Sequence, residues 1–426
     1  MESEIVSASQ GSVNLSPQEA GTGVSRPLVR NRTFMWILSG NAISVFGDCF
    51  NGIALSLWIL QTTGSAKSMA AVLMTHMILG VLLGSVAGTV ADRMDRRKLM
   101  LVSDSLRCAI AAALAYFVFY AEVSFPIVLV LVALLATAGL FQAPAFHASI
   151  NPIVGKDNLQ QATGWIHLAD NLSRISGLAL AGVIVSMLGG FAAILFNSLA
   201  YLLSMLCVLA AGKFPSNRGA KPSNSTFVGD LKEGFRYIGA NSLARAIVVL
   251  HPLLILFFMS SLTMVQVMAV KEWKAGPVAF GFIELCIPLG YMLGASLILS
   301  LGSRIGRRGL WICAGLLLLG PVFYLLSIMR SAWPALPFVL GCGLMFAFST
   351  MLIQIILRSE VSVEFQGRLY GAMGALSGIA PPLGLAVFSS VADRYGASWT
   401  LSIISMLFLA VGIAVTLTMK RIRTYV

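Results

Sequence analysis

Hydrophobic residues along this 426-residue chain fall into about twelve long runs separated by short polar breaks: 34–60, 68–91, 99–121, 125–149, 162–187, 190–211, 246–270, 277–301, 309–329, 334–357, 368–391 and 397–419. Each run is close to the length, about 20 residues, that a helix needs to cross a bilayer. In lipid a helix also satisfies its own backbone polar groups. The pattern therefore predicts an all-α membrane protein with twelve transmembrane helices. It also repeats. Gly80 and Gly84 in the second run correspond to Gly290 and Gly294 in the eighth, and Arg96-Arg97 correspond to Arg307-Arg308, offsets of 210 and 211 residues. Two six-helix halves in parallel repeat follow from that offset. The expected organisation is a disordered tail over 1–33, an N-terminal bundle over 34–211, a linker over 212–245, a C-terminal bundle over 246–419 and a tail over 420–426. Within the linker, Leu231, Phe235 and Ile238 have helical spacing, which predicts a short amphipathic helix on the membrane surface.

Composition excludes a soluble domain, with 58% hydrophobic and 11% charged residues. The net charge of +12 raises the question of nucleic acid, but its distribution answers it. With the N-terminus in the cytoplasm, 22 of the 29 Lys and Arg fall on the cytoplasmic side and 5 on the other, with Arg107 and Arg174 inside runs. That asymmetry puts both termini in the cytoplasm. The basic residues contact anionic membrane lipid, and no nucleic-acid partner is implied. The first 33 residues lack a cleavable signal pattern, so the first membrane helix serves as an uncleaved signal. A multi-pass monomer in the cell (inner, cytoplasmic) membrane is expected. The six cysteines are scattered singly through apolar runs as packing residues, with no metal spacing.

Charges inside the runs each cost about 2.5–3.5 kcal/mol at mid-bilayer, so each needs a reason. Asp48 sits mid-way in the first run with no basic residue within a turn. It is the first candidate for proton coupling or substrate contact; the alternative is a carboxyl paired with a distant Arg for packing. Glu284 in the eighth run is the second candidate, with the same alternative. His167, Asp170, Asn171 and Arg174 form one polar stripe in the fifth run, spaced i, i+3, i+4 and i+7. The stripe is expected to face an aqueous cavity, with Asp170 and Arg174 paired one turn apart; the alternative is a structural pair. Asp104 and Arg107 are expected to brace the adjacent loop. His76, His147 and His251 are expected to be satisfied core residues. Gly80, Gly84 and Gly88 share one face of the second run, as backbones in close contact require.

Between the second and third runs lies a charged island, Gly88 through Asp92, Arg93, Asp95, Arg96, Arg97 and Lys98. It resembles the signature loop of the major facilitator superfamily, roughly Gly-x-x-x-Asp-Arg-x-Gly-Arg-Arg/Lys, matching at Gly88, Asp92, Arg93, Arg96 and Arg97 and departing at Asp95. The resemblance implies a gate in which Asp92 accepts hydrogen bonds at the start of helix eleven, near Gly367 and Arg368. It also implies that helices one, four, seven and ten line the path. Cavity candidates on that basis are Gln142 on helix four, Met264 and Gln266 on helix seven, and Phe348 and Gln354 on helix ten. Met and aromatic walls of this kind suit varied amphiphiles.

A closer resemblance, over about residues 34–419, is to the macrolide-efflux (Mef-like) branch. It is carried by Asp230 through Ile238, by Glu284, by Gly367-Arg368 and Gly371, and by Ala392-Asp393-Arg394-Tyr395-Gly396. Gly47-Asp48 looks like related drug, siderophore and lysophospholipid transporters. The helix-five Gly-Pro of many drug–proton antiporters is missing; Gly177 and Gly182 occur without a proline. No phosphate loop or nucleophile–base set is present, so an enzyme is not expected and neither a metal nor another cofactor is called for. These features together predict a transporter that exports a small amphiphilic molecule by proton antiport. Siderophore export, lysophospholipid movement and, more remotely, a non-transporting receptor or scaffold are the alternatives.

Overall fold

The computed structural model describes residues 28–121, 123–214, 236, 241–302, 306–361 and 363–418, excepting the side chains of 242, 243, 363–368 and 372. Residues 1–27 and 419–426 of the tails and the expected amphipathic linker helix apart from residue 236 lie outside the described residues, as does the side chain of Arg368.

Among the described residues, eleven helical segments are long and apolar enough to cross a membrane. They are α1 (Arg32–Thr62), α2 (Ala66–Arg93), α3 (Arg96–Tyr120), α4 (Phe125–Val154), Leu159–Ala210, α7 (Ser242–Lys271), α8 (Pro277–Leu301), α9 (Arg308–Ile328), α10 (Ala332–Glu360), α11 (Val363–Tyr395) and α12 (Ala397–Thr418). The longest is broken at Gly189, whose φ of 81° and ψ of 169° belong to no helix and suit only glycine. We label its limbs α5 (159–188) and α6 (190–210). The break falls between the fifth and sixth apolar runs of the sequence.

Helix starts follow local chemistry. The side chains of Asn31, Ser65 and Asp95 accept backbone hydrogen bonds from Phe34, Ser68 and Lys98, capping α1, α2 and α3. Asp95 therefore has a local purpose where the signature loop has Gly, and its φ of −64° needs no glycine. Large side chains such as Leu82, Leu172, Met187, Leu299 and Leu383 stand exposed around the periphery, as lipid contact requires.

Within the N-terminal helices, α1 packs along α5 and α6, α3 against α4, and α2 against α4. In the C-terminal helices α8 packs against α10, α9 against α10 and α12, and α7 against α11. The two sets meet through α2 with α11 and α5 with α8. The second meeting is backbone on backbone: a Cβ on Gly182 would lie 2.6 Å from the Pro277 carbonyl oxygen and 3.2 Å from the Gly281 Cα. The repeat-related glycines differ in use. Gly294 is pressed against α10, 2.7 Å from the Leu344 carbonyl oxygen to a built Cβ, and Gly290 is tighter still. Gly80, Gly84 and Gly88 face open space. The α2 stripe is not a packing seam in this conformation.

Candidate functional site

The polar centre of the N-terminal helices is built where α1 and α6 approach. Gly47 permits the approach, because a Cβ there would sit 2.5 Å from the Ala200 Cβ and 2.8 Å from the Asn197 Oδ1. That contact brings Asp48 to Tyr201, whose hydroxyl donates to Asp48 Oδ1. Arg107 arrives from α3. Its Nη2 donates to Asp48 Oδ2 at 3.0 Å, to Asp48 Oδ1 at 3.2 Å and to the Tyr201 hydroxyl at 3.0 Å. Its Nη1 donates to Ser44 Oγ at 3.0 Å. The guanidinium carbon lies 3.9 Å from the Tyr201 ring centroid, a cation–π contact. Asn197 Nδ2 donates to the Tyr201 hydroxyl at 3.3 Å. Asp104 completes the cluster. Its Oδ1 is 3.7 Å from Arg107 Nη1 and its Oδ2 accepts from Ser204 Oγ at 2.8 Å. Arg107 thus forms ion pairs with both carboxylates.

Asp104 and Arg107 thus do not brace the island; one helical turn apart, both point inward to α1 and α6. The basic partner that Asp48 lacks in its own run is supplied by α3. Tyr201, Asn197 and Ser204 escaped the sequence reading. Their signal was available: Asn197, Ser198, Tyr201 and Ser204 form a polar stripe at helical spacing on apolar α6.

The Asp48 side chain is 45% exposed, against 9% for Arg107 and 0% for Asp104. It opens onto a cavity of about 250 Å³ bordered also by Val45, Cys49 and Gly52 of α1, Arg174 of α5, Gln266 of α7 and Glu284 of α8. A neighbouring cavity of about 470 Å³ shares Arg174, Gln266 and Glu284 and adds Asn171, Met259, Thr263, Tyr291 and Phe346. Helices from both sets therefore line it. Gln266 Nε2 donates to Glu284 Oε1 at 2.7 Å, while Gln266 Oε1 is buried without a partner. Phe346 stacks on Phe258 with centroids 3.8 Å apart and planes at 10°.

The helix-five stripe divides. Arg174 and Asn171 line the cavities, but Asp170 accepts from Asn41 Nδ2 at 2.6 Å and makes no ion pair with Arg174 among the described residues. Asn41 on α1 offered a closer donor than the side chain a turn away. Asn171 Nδ2 turns back to the His167 carbonyl at 2.8 Å, and His167 is exposed. Met264 is fully buried in the helix core, Phe348 stacks on Trp311 of α9, and Gln142 is buried in α4 with its amide nitrogen unpartnered. Gln354 is exposed on α10. None of these four lines either cavity; Met259 and Phe346 do so from the same helices α7 and α10. His251 is satisfied, its Nδ1 3.0 Å from Ser377 Oγ on α11.

The island is tied to its own set of helices. Arg96 Nη1 donates at 2.7 Å to the Ala148 carbonyl, which has no helical donor because Pro152 follows four residues later. Arg97 Nη2 donates at 3.1 Å to the Leu209 carbonyl at the open end of α6. Asp92 and Arg93 are exposed. At the opposite face the two sets are clasped. Asp393 of α11 accepts from the Ala66 amide at 2.7 Å, Ser65 Oγ at 2.7 Å and the Lys67 amide at 3.4 Å. Lys271 Nζ donates to the Gly64 carbonyl at 2.5 Å. On the island side, Gly84, Gly88, Gly371 and Gly374 face open space.

The profile of the transmembrane secretion effectors matches residues 23–424. The chain belongs to this major facilitator family. The protein is 22% identical over 366 residues to macrolide efflux protein A of Streptococcus pyogenes, covering 85% of this chain and 90% of the relative. It is 26% identical over 376 residues to the multidrug efflux pump Tap of Mycobacterium tuberculosis (strain ATCC 25618 / H37Rv), covering 84% and 87%. In fold this facilitator is similar to the nucleoside transporter NupG, with a TM-score of 0.71 at 12% identity over 92% of this chain and 100% of that one. A peptide transporter POT gives 0.68 at 14% identity over 92% and 94%. It is a multi-pass membrane transporter.

Proposed function

We propose that this facilitator is a secondary active exporter, moving a small amphiphilic drug, antibiotic or secondary metabolite outward in exchange for protons. The observation that carries this is Asp48: a carboxylate held by Arg107 on one side and open on the other to a cavity lined from both helix sets. A carboxyl so placed changes its hydration as the cavity opens to either side, and with it its affinity for a proton. That difference is what an ion-driven cycle needs, since a ligand shifts an equilibrium only through differential affinity for the two states. Glu284, on the C-terminal side of the same cavity, is the second proton-binding candidate. Arg174, Asn171 and Gln266 are the polar contacts for substrate, and Met259, Tyr291 and Phe346 offer it an apolar wall. Names of the relatives that contain macrolide and multidrug efflux support this class of cargo.

The limbs α1 to α12 are twelve crossings in two six-helix bundles, with both termini cytoplasmic and a cytoplasmic linker over 212–245. The protein acts as a monomer in the cell membrane. The island, with Asp92 and Arg93 exposed, then belongs to a cytoplasmic gate completed at Gly367-Arg368, and the Asp393 clasp belongs to the outer face. Alternating access consists of breaking one while the other forms.

The test is uptake into inverted vesicles with and without an imposed pH gradient, over a panel of macrolides, lipophilic dyes, a siderophore and a lysophospholipid. A pH-driven accumulation of an amphiphile that is lost in Asp48→Asn, with counterflow exchange retained, is expected. Accumulation by Asp48→Asn equal to wild type removes Asp48 from the coupling role, and Glu284 is then examined. A panel member other than a drug-like amphiphile being driven reassigns the cargo.

A further inference from the structure

We propose that Asp104 is a positioning residue for proton coupling: it is the second seat of the Arg107 guanidinium, which leaves Asp48 for Asp104 when Asp48 takes a proton from the cavity. The starting observation is a charge count. One guanidinium stands between two carboxylates, 3.0 Å from Asp48 and 3.7 Å from Asp104. The second contact is incomplete. Asp104 is wholly buried, and its Oδ1 has no hydrogen-bond donor; Arg107 Nε, likewise buried, has no acceptor. A buried polar atom without a partner is costly, and few persist without a reason. Less than 1 Å of movement of Nη1, giving up Ser44, brings it to the about 2.7–2.9 Å of a charge-assisted hydrogen bond.

Access differs as coupling requires. Asp48 is nearly half exposed on the cavity, and Asp104 is sealed behind α1 and α6. The proton therefore enters at Asp48. In the step, a proton from cavity water forms an O–H bond on Asp48, its ion pair with Nη2 is released, and Nη1 closes on Asp104 Oδ1. The cluster goes from one net negative charge to neutral, and neither state leaves the guanidinium without a carboxylate. Removing one partner of a buried pair ordinarily strands the other charge; a second seat removes that barrier to protonating Asp48. The other titratable and charged groups near the cluster are Cys49 of α1, His76 of α2, Arg174 of α5, Tyr201 and Cys207 of α6, and Glu284 of α8. Of these only Tyr201 touches Arg107, its hydroxyl accepting from Nη2 at 3.0 Å, and the carboxylates that pair with Arg107 are Asp48 and Asp104.

This inference rests on the proton-coupled reading above, and its test needs no substrate. The full-length protein in lipid is titrated by infrared difference spectroscopy, following the carbonyl band of protonated carboxyl groups. A component lost in Asp48→Asn is assigned to Asp48. In Asp104→Asn the guanidinium has one seat, so Asp48 keeps it and its component moves about one pH unit lower, a tenfold change in proton affinity. Asp104→Glu restores the wild-type midpoint. A second measurement separates movement from simple charge removal and needs no variant: structures of the wild type on either side of the midpoint. Closure of the Arg107 Nη1–Asp104 Oδ1 distance to a hydrogen bond at the lower pH is expected. An unchanged separation, or a midpoint indifferent to Asp104→Asn, overturns the proposal. If pH-driven transport proves absent while the closure is observed, the exporter reading fails and the two-seat guanidinium stands.

Discussion

Asp393 spans the two helix sets at the face opposite the charged island, and neutralising it will move the balance between the closed and open forms of that face. Its carboxylate takes two short hydrogen bonds, from the Ala66 amide and Ser65 Oγ at 2.7 Å, and a long one from the Lys67 amide at 3.4 Å. It also stands at the positive end of α2. A hydrogen bond to a charged group contributes about 1.5–3 kcal/mol when sheltered, and an anion at a helix N-terminus about 0.3–1 kcal/mol. Asp393 is exposed, so solvent screening brings each short bond down to roughly 0.8 kcal/mol and the helix-end contribution to about 0.3 kcal/mol. Asp393→Asn keeps one acceptor and loses the charge, costing about 1 kcal/mol of closed form; Asp393→Ala loses all of it, about 2 kcal/mol. At 1.4 kcal/mol per tenfold, these are about 5-fold and 30-fold shifts toward opening. The assay is the labelling rate, in whole cells, of a cysteine placed at Ser56 on the cavity wall, using a membrane-impermeant maleimide in a background without the native cysteines. The rate rises in the order wild type, Asn, Ala by those factors. Equal rates in all three, with the proteins properly folded, would falsify the clasp.

Gly47→Ala drives a Cβ against Ala200 and Asn197, 2.5 and 2.8 Å away, and separates α1 from α6; thermal unfolding in detergent will show a loss of about 1–3 kcal/mol, and a wild-type melting temperature contradicts the packing. Arg107→Met strands the buried Asp104 carboxylate and leaves half-exposed Asp48 without its cation, costing about 3–5 kcal/mol, and adding Asp48→Asn and Asp104→Asn recovers expression; failure of that recovery means Arg107 matters for another reason. Asp170→Asn and Arg174→Gln will be additive in stability within about 0.5 kcal/mol because they are not paired, whereas Asp170→Asn and Asn41→Ala will not. Asp95→Ala removes the α3 cap, costing about 1 kcal/mol, while Asp95→Asn restores most of it in the same melting assay.

Lipid makes much of such a chain legible. With no water to satisfy backbone groups, each apolar run of bilayer length has one solution, and run lengths and positions follow directly. Gly189 shows the limit of hydrogen-bond pattern alone: the helix is nearly continuous across it, yet the break in the apolar runs and the glycine mark the same place. Charge placement is legible for the same reason. Asp48, Arg107, Glu284 and Arg174 stand out because an unpaired charge is costly in hydrocarbon, so any that occur have been given partners or a cavity.

Which partners they take is another matter. Spacing along one helix suggested Asp170 with Arg174 and left Asp48 alone; the fold gave Asp170 to Asn41 and Asp48 to Arg107 and Tyr201. A pairing within a helix needs only the local repeat, but pairing between helices depends on how closely backbones approach and at what rotation. That approach is decided by small contacts such as Gly47 on Asn197 and Gly182 on Gly281, which depend on side chains far apart in the chain. The same reasoning covers the cavity wall: Met264 and Phe348 have the chemistry of a wall, but the rotation of α7 and α10 buries them and turns Met259 and Phe346 inward. The sequence by itself determined the helices, their spans and the charges that need explaining, because the cost of polar groups in lipid acts residue by residue. Helix rotation, the Asp48–Arg107–Asp104 cluster, the cavity between the helix sets and the Asp393 clasp were decided only in the tertiary structure, because they depend on which faces of distant helices meet.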